Sequence, residues 1–133
     1  MLDAAALLNN ERFVFDPSHS YYCPNAVFDE WKDSRSRSLA ENAFSTGLLK
    51  VMDACPLSVS QANGFLEANG LKGLSAADVS VLALAFELHA RFPRLVVVSD
   101  DFAVQNACKL KKIRFMGVAQ GEIRRARRFG KKR

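Results

Sequence analysis

Residues 96–106 read VVVSDDFAVQN, an all-apolar segment that stops at two adjacent acids before an amphipathic segment begins. Three consecutive valines suit a strand buried on both faces, and such strands belong to parallel sheets covered by helices. In open sheets of that kind, ligands and metals gather just outside the carboxyl ends of the strands, where Asp100 and Asp101 stand. Neighbouring carboxylates repel one another unless positive charge lies beside them. Asp78 in LSAADVSVLALAFEL, Asp3 after the first apolar residues, and Glu30 extend the set. Together these acids suggest a carboxylate cluster that holds a divalent metal.

The rest of the chain alternates strand and helix signals. A short strand is expected to end at Asp3, with a helical stretch following to Asn10. Tyr21-Tyr22-Cys23 reads as extended, and Pro24 suits the first turn of a helix to about Lys32. Ser34 can cap the next helix, whose apolar positions Leu39, Ala43 and Phe44 have helical spacing, and Gly47 ends it. A strand over 48–52 precedes a helix that starts at Ser58 or Ser60 and stops near Gly70. Ser75 then caps a long helix to about Ala90. A strand over 94–99, a helix over 102–111 and a strand over 113–118 complete the pattern. Alternation of this kind predicts an α/β fold of three layers, α/β/α, with a central parallel sheet.

Each acid also has a plainer reading. Asp78 stands three residues after Ser75, the spacing of a capping box. Asp100 or Asp101 can cap the helix that follows. Glu30 lies in the charged stretch DEWKD, which could be a solvated face. Capping does not readily explain why two carboxylates should be adjacent. His19 and His89 are isolated, and Trp31 and the ten phenylalanines are assigned to packing.

Charge is unevenly distributed. The net charge is +5, yet residues 109–133 carry eleven basic residues against one acid, Glu122, leaving eight bases and thirteen acids in residues 1–108. An acidic body with a basic end is expected where the end grips a polyanion and the body holds cations. At 133 residues the chain suits one domain, here 1–119, with a basic extension over 120–133. Three widely spaced cysteines, Cys23, Cys55 and Cys108, fit reduced thiols better than a disulfide framework or a zinc site. With no secretion leader and no apolar run near the roughly 20 residues that cross a bilayer, a cytoplasmic protein without membrane contact is expected.

LSAADVSVLALAFEL followed by VVVSDDFAVQNACKLKKIRF resembles the PIN-domain nucleases, and most of all their NIN-one-binding branch, which trims the 3′ end of small-subunit ribosomal RNA. CPNAVFDEWKDSRSR is similar to that branch's Pro-x-x-Val-x-x-Glu-x-x-Asp segment, and the resemblance runs from Leu2 to about Ala119. It implies metal-site acids at Asp3, Glu30, Asp78 and Asp101, with Asp100 beside them and Ser99 in support. Metal ligation then falls to Asp3, Asp78, Asp100 and Asp101. Ala5 departs from the small hydroxyl residue frequent in the family, and only two residues precede Asp3. The archaeal relatives continue into a four-cysteine zinc ribbon, whereas this chain ends at GKKR; a cut at the ribbon boundary and a compact ribbon-less relative are both consistent with that.

Carboxylate oxygens select Mg²⁺ or Mn²⁺ over softer metals, and such ions activate water and neutralise charge on a scissile phosphate. No haem or nucleotide cofactor is expected. The resemblance therefore implies an endoribonuclease that acts on single-stranded RNA during ribosomal RNA maturation and leaves a 5′-phosphate and a 3′-hydroxyl. Precursor ribosomal RNA and the pre-small ribosomal subunit are its expected partners. Arg35, Arg37, Arg124, Arg125, Arg127 and Arg128 are expected to position the RNA backbone. Two alternatives stay open: a VapC-like toxin that cuts transfer or messenger RNA, and an RNA-binding assembly module whose site has decayed.

Overall fold

The structure, a computed structural model, describes residues 15–117 and the backbone of residues 4 and 5. Asp3, the expected helix over 6–10 and the basic extension, with Arg124, Arg125, Arg127 and Arg128, lie outside the described residues.

The described residues form five strands and five helices, in the order β1 (Ala4–Ala5), β2 (Tyr21–Cys23), α1 (Asn25–Glu30), α2 (Ser34–Ser45), β3 (Leu49–Val51), α3 (Pro56–Ala68), α4 (Ala76–Arg91), β4 (Val96–Val98), α5 (Phe102–Lys111) and β5 (Arg114–Met116). Every strand pair is parallel, as the alternation predicts. Among the described residues the hydrogen-bonded ladders are two, β1-β4-β5 and β2-β3, where one central sheet was expected; β1 also packs beside β2, so the ladders adjoin. Val96, Val97 and Val98 face Arg114, Phe115 and Met116, and Val97 and Val98 also face Ala4 and Ala5. β4 is thus the middle strand of its ladder, which accounts for its unbroken apolar run.

Helix α4 is the central packing element. Its capping box is complete: Asp78 N donates to Ser75 Oγ at 3.1 Å, and Ser75 N donates to Asp78 Oδ2 at 3.2 Å. Val81, Leu82, Ala83, Leu84, Ala85 and Leu88 are all buried, so the helix is apolar around most of its circumference and lies inside the molecule. It packs on α3, α1 and α5, and truncating Leu84 or Leu88 to alanine would cost about 2–5 kcal/mol. Among the described residues no helix is long and apolar enough to cross a membrane.

Several boundaries differ from the sequence expectations. Ala4–Ala5 pairs with β4 as a strand, where the start of a helical stretch was expected. Alanine's helix preference is weak compared with the pairing that β4 offers. α1 ends at Glu30, before Lys32, because the next residue, Trp31, is buried and leaves the helical backbone region. Asp33, not Ser34, caps α2 by accepting from Ser36 N at 3.0 Å, and this bond holds its carboxyl below the usual carboxylate range. α3 begins at Pro56, ahead of either serine, with proline at a first-turn position where its missing N–H costs nothing. Gly47 ends α2 as expected, with φ +82°, a conformation open to glycine without strain.

Candidate active site

The turn between β4 and α5 is built by five hydrogen bonds. Ser99, fully buried, donates its N–H to Met116 O at 2.9 Å and so continues the β4–β5 ladder beyond Val98. Its Oγ accepts from Asp101 N at 3.1 Å, and its carbonyl accepts from Gln105 Nε2 at 2.7 Å. Asp101 then caps α5, its Oδ1 accepting from Ala103 N at 2.8 Å and Val104 N at 3.2 Å. The turn is therefore held from the strand side by Ser99 and from the helix side by Gln105. Sequence reasoning assigned Ser99 a supporting place but gave Gln105 none; its position one turn into α5 was the available signal.

Asp78 and Asp101 share an arrangement. Each is at the N-terminus of its helix, and each uses one carboxylate oxygen there: Oδ2 of Asp78 on Ser75 N, Oδ1 of Asp101 on two backbone amides. Among the described residues, the second oxygen of each makes no hydrogen bond. Asp78 is buried, at 7% exposed. The two helix N-termini carry partial positive charge, roughly half an elementary charge each, which lowers the cost of keeping carboxylates together. Both acids are thus caps as the plainer reading held, and capping accounts for only half of each carboxylate.

Asp101 stands at the carboxyl end of β4, in the β1-β4-β5 ladder. α4 leads into β4 through a turn in which Leu95 N donates to Phe92 O at 3.0 Å, so Asp78, in the first turn of α4, is at the end of that helix away from the start of β4. Asp100 is exposed beside Asp101, and Glu30 is exposed at the last position of α1, the helix that packs on α4. Among the described residues, no three His, Cys, Asp or Glu side chains lie close enough to hold an ion by themselves; Asp3 is outside that set. The donors present, all carboxylate oxygens with two unengaged, suit a hard divalent cation.

Arg37 has an internal use. Its Nη1 donates to Phe28 O at 2.9 Å and Trp31 O at 3.3 Å, its Nε donates to Glu41 at 3.1 Å, and its guanidinium lies 4.6 Å from the Phe28 ring centre. It closes the last carbonyls of α1 onto α2, a demand that competes with contact to RNA. Arg35 is exposed on the first turn of α2.

The capped acids Asp78 and Asp101 lie within the two stretches that carry the resemblance to the PIN-domain nucleases. The family model of the PIN domain of ribonuclease matches residues 1–88, and the chain belongs to the PIN-domain ribonucleases. It is 33% identical over 122 residues to endoribonuclease Nob1 of Pyrococcus abyssi, covering 91% of this chain and 73% of that protein. With endoribonuclease Nob1 of Methanothermobacter thermautotrophicus it shares 30% over 125 residues, 93% of this chain and 71% of the relative. Ribonuclease VapC3 of Aeropyrum pernix is 39% identical over 83 residues, 62% of this chain and 60% of its own length. Membership makes this chain an enzyme of the endoribonuclease class.

Proposed function

We propose that the chain is a metal-dependent endoribonuclease that cuts single-stranded RNA in the 3′-end maturation of small-subunit ribosomal RNA. One observation supports the metal site: among the described residues, Asp78 and Asp101 each keep one oxygen out of any hydrogen bond while the other caps a helix. In this reading Asp3, Asp78, Asp100 and Asp101 hold Mg²⁺ or Mn²⁺, and Glu30 joins Asp3, Asp78 and Asp101 as the catalytic acids. A bound divalent ion would supply an activated water and neutralise the phosphate charge. The caps fix where the two carboxylates point, because a carboxylate anchored through one oxygen presents the other in a set direction. Ser99 and Gln105 position Asp101 through the turn. Arg35 and the basic residues Arg124, Arg125, Arg127 and Arg128 steer the RNA backbone, while Arg37 acts chiefly in the α1–α2 junction.

The similarity to the two Nob1 endoribonucleases over more than nine-tenths of the chain supports ribosomal precursor RNA as substrate and the pre-small subunit as partner. The shorter match to VapC3 supports a second reading, a toxin-type ribonuclease. The two separate by partner, since a toxin copurifies with a small antitoxin and a maturation factor sediments with pre-ribosomal particles.

The direct test is a short precursor RNA spanning the 3′ end of the small-subunit RNA, incubated with protein and Mn²⁺ or EDTA, followed by end mapping. Cleavage that requires Mn²⁺ and leaves a 5′-phosphate is expected. Mn²⁺ should also raise the melting temperature by mass action, and the double variant Asp78→Asn/Asp101→Asn should lose that rise. A melting temperature indifferent to millimolar Mn²⁺, with no cleavage, would instead indicate a decayed RNA-binding module.

A further inference from the structure

Phe102 is 83% exposed, more than Phe44, Leu57 or Leu110, the other large apolar side chains that face solvent among the described residues. Isolated exposed apolar residues are ordinary on protein surfaces. This one is an aromatic ring at the first position of α5, directly after Asp100 and Asp101. Packing does not require it, since the buried face of α5 is formed by Val104, Ala107 and Cys108. Asp101, the residue before it, already supplies the cap.

Resting on the endoribonuclease reading above, we infer that Phe102 is a stacking platform for a base of the single-stranded RNA held at the carboxylate site. Every base has a π-face, so an exposed ring binds single strands with little regard to sequence, whereas bases paired and stacked in a duplex offer no free face. Consecutive Cα atoms are about 3.8 Å apart, so a base on Phe102 brings its own phosphate beside Asp100 and Asp101. Asn106, Lys109 and Leu110 follow at helical spacing and are exposed on the same face. Lys109 stands seven residues along the helix, roughly 10 Å from Phe102, where its ammonium can meet a further phosphate of the same strand. The platform supplies the preference for unpaired RNA, and the lysine gives the strand a direction along α5.

The test measures binding of a fluorescein-labelled single-stranded RNA nonamer and of the corresponding duplex in EDTA, which prevents cleavage, by anisotropy at several salt concentrations. Phe102→Ala is expected to weaken single-strand binding by roughly 5- to 150-fold, the range of one base–aromatic stack. The salt slope should be unchanged, because no phosphate contact is lost. Phe102→Tyr and Phe102→Trp should restore affinity, and the tryptophan of Phe102→Trp should be quenched as RNA binds. Melting temperatures of all variants should match wild type, since the ring is in solvent. Wild-type affinity in Phe102→Ala would overturn the proposal and leave the nuclease assignment intact. Equal weakening of single-strand and duplex binding, or failure of tyrosine and tryptophan to rescue, would also overturn it. Wild-type protein that neither binds nor cuts single-stranded RNA would overturn both readings.

Discussion

Asp78 serves as a cap and is proposed as a metal ligand, and a pair of substitutions separates the two roles. Ser75→Ala removes the oxygen that accepts from Asp78 N at 3.1 Å but keeps the backbone amide that donates to Asp78 Oδ2. Loss of a serine N-cap costs about 1 kcal/mol, which for a domain of this size lowers the melting temperature by roughly 3–6 °C. Asp78→Asn keeps an amide oxygen facing Ser75 N and removes only the charge. The lost interaction with the helix dipole is about 0.3–1 kcal/mol, and relief of repulsion from Asp101 and its neighbours offsets part of it. Its melting temperature should therefore fall less than that of Ser75→Ala. Cleavage should follow the opposite order: Ser75→Ala close to wild type, and Asp78→Asn reduced at least about 100-fold, equivalent to roughly 2.7 kcal/mol of lost transition-state stabilisation. The assay is initial-rate cleavage of a labelled single-stranded RNA with Mn²⁺, beside thermal unfolding of the same preparations. The reasoning is refuted if Asp78→Asn cuts at the wild-type rate while losing as much stability as Ser75→Ala.

Three further outcomes follow from particular contacts. Arg37→Ala should destabilise the fold by about 1–2 kcal/mol, because it removes charge-assisted bonds to the carbonyls of Phe28 and Trp31; a chemical-denaturation midpoint equal to wild type would show that the clamp contributes nothing. Glu87 accepts from Cys55 N at 2.9 Å, and this bond holds its carboxyl below the usual carboxylate range. A lowered folded-state value gives stability that is present above the ordinary glutamate value of about 4.3 and is lost as pH falls through the folded value; Glu87→Gln should flatten that acid limb in denaturation measured from pH 6 to pH 3. Burial pushes the thiols of Cys23 and Cys108 up to about 12, with the nearby charge of Asp53 adding to the shift at Cys23, whereas Cys55 is exposed. A disulfide-exchange reagent at pH 8 should accordingly titrate one thiol quickly in the native protein and all three in guanidinium, and two or more fast native thiols would contradict the burial.

What the sequence by itself determined was local. The capping box of α4 lies within four residues, Ser75 to Asp78, and the apolar run behind it is long enough to leave no other element possible. The step from three valines to an acid-capped helix was equally legible, because strand end, cap and first turn are contiguous. The family resemblance rests on the same contiguous stretches, and the match to the PIN domain bears it out. Other features depended on residues that meet only in the folded chain. Ala4–Ala5 is a strand because β4 lies beside it, 93 residues away in sequence. α1 stops before Lys32 because Trp31 turns into the core, and Arg37 then crosses to the carbonyls that this exposes. Asp53 reaches Asn25 across 28 positions and Glu87 reaches Cys55 across 32, contacts that no periodicity encodes. The division of labour within Asp78 and Asp101, and the exposure of Phe102 beside them, belong to this second kind. A residue type and its spacing state which groups are available, but which oxygen is occupied and which ring faces water depend on the whole chain having packed around them.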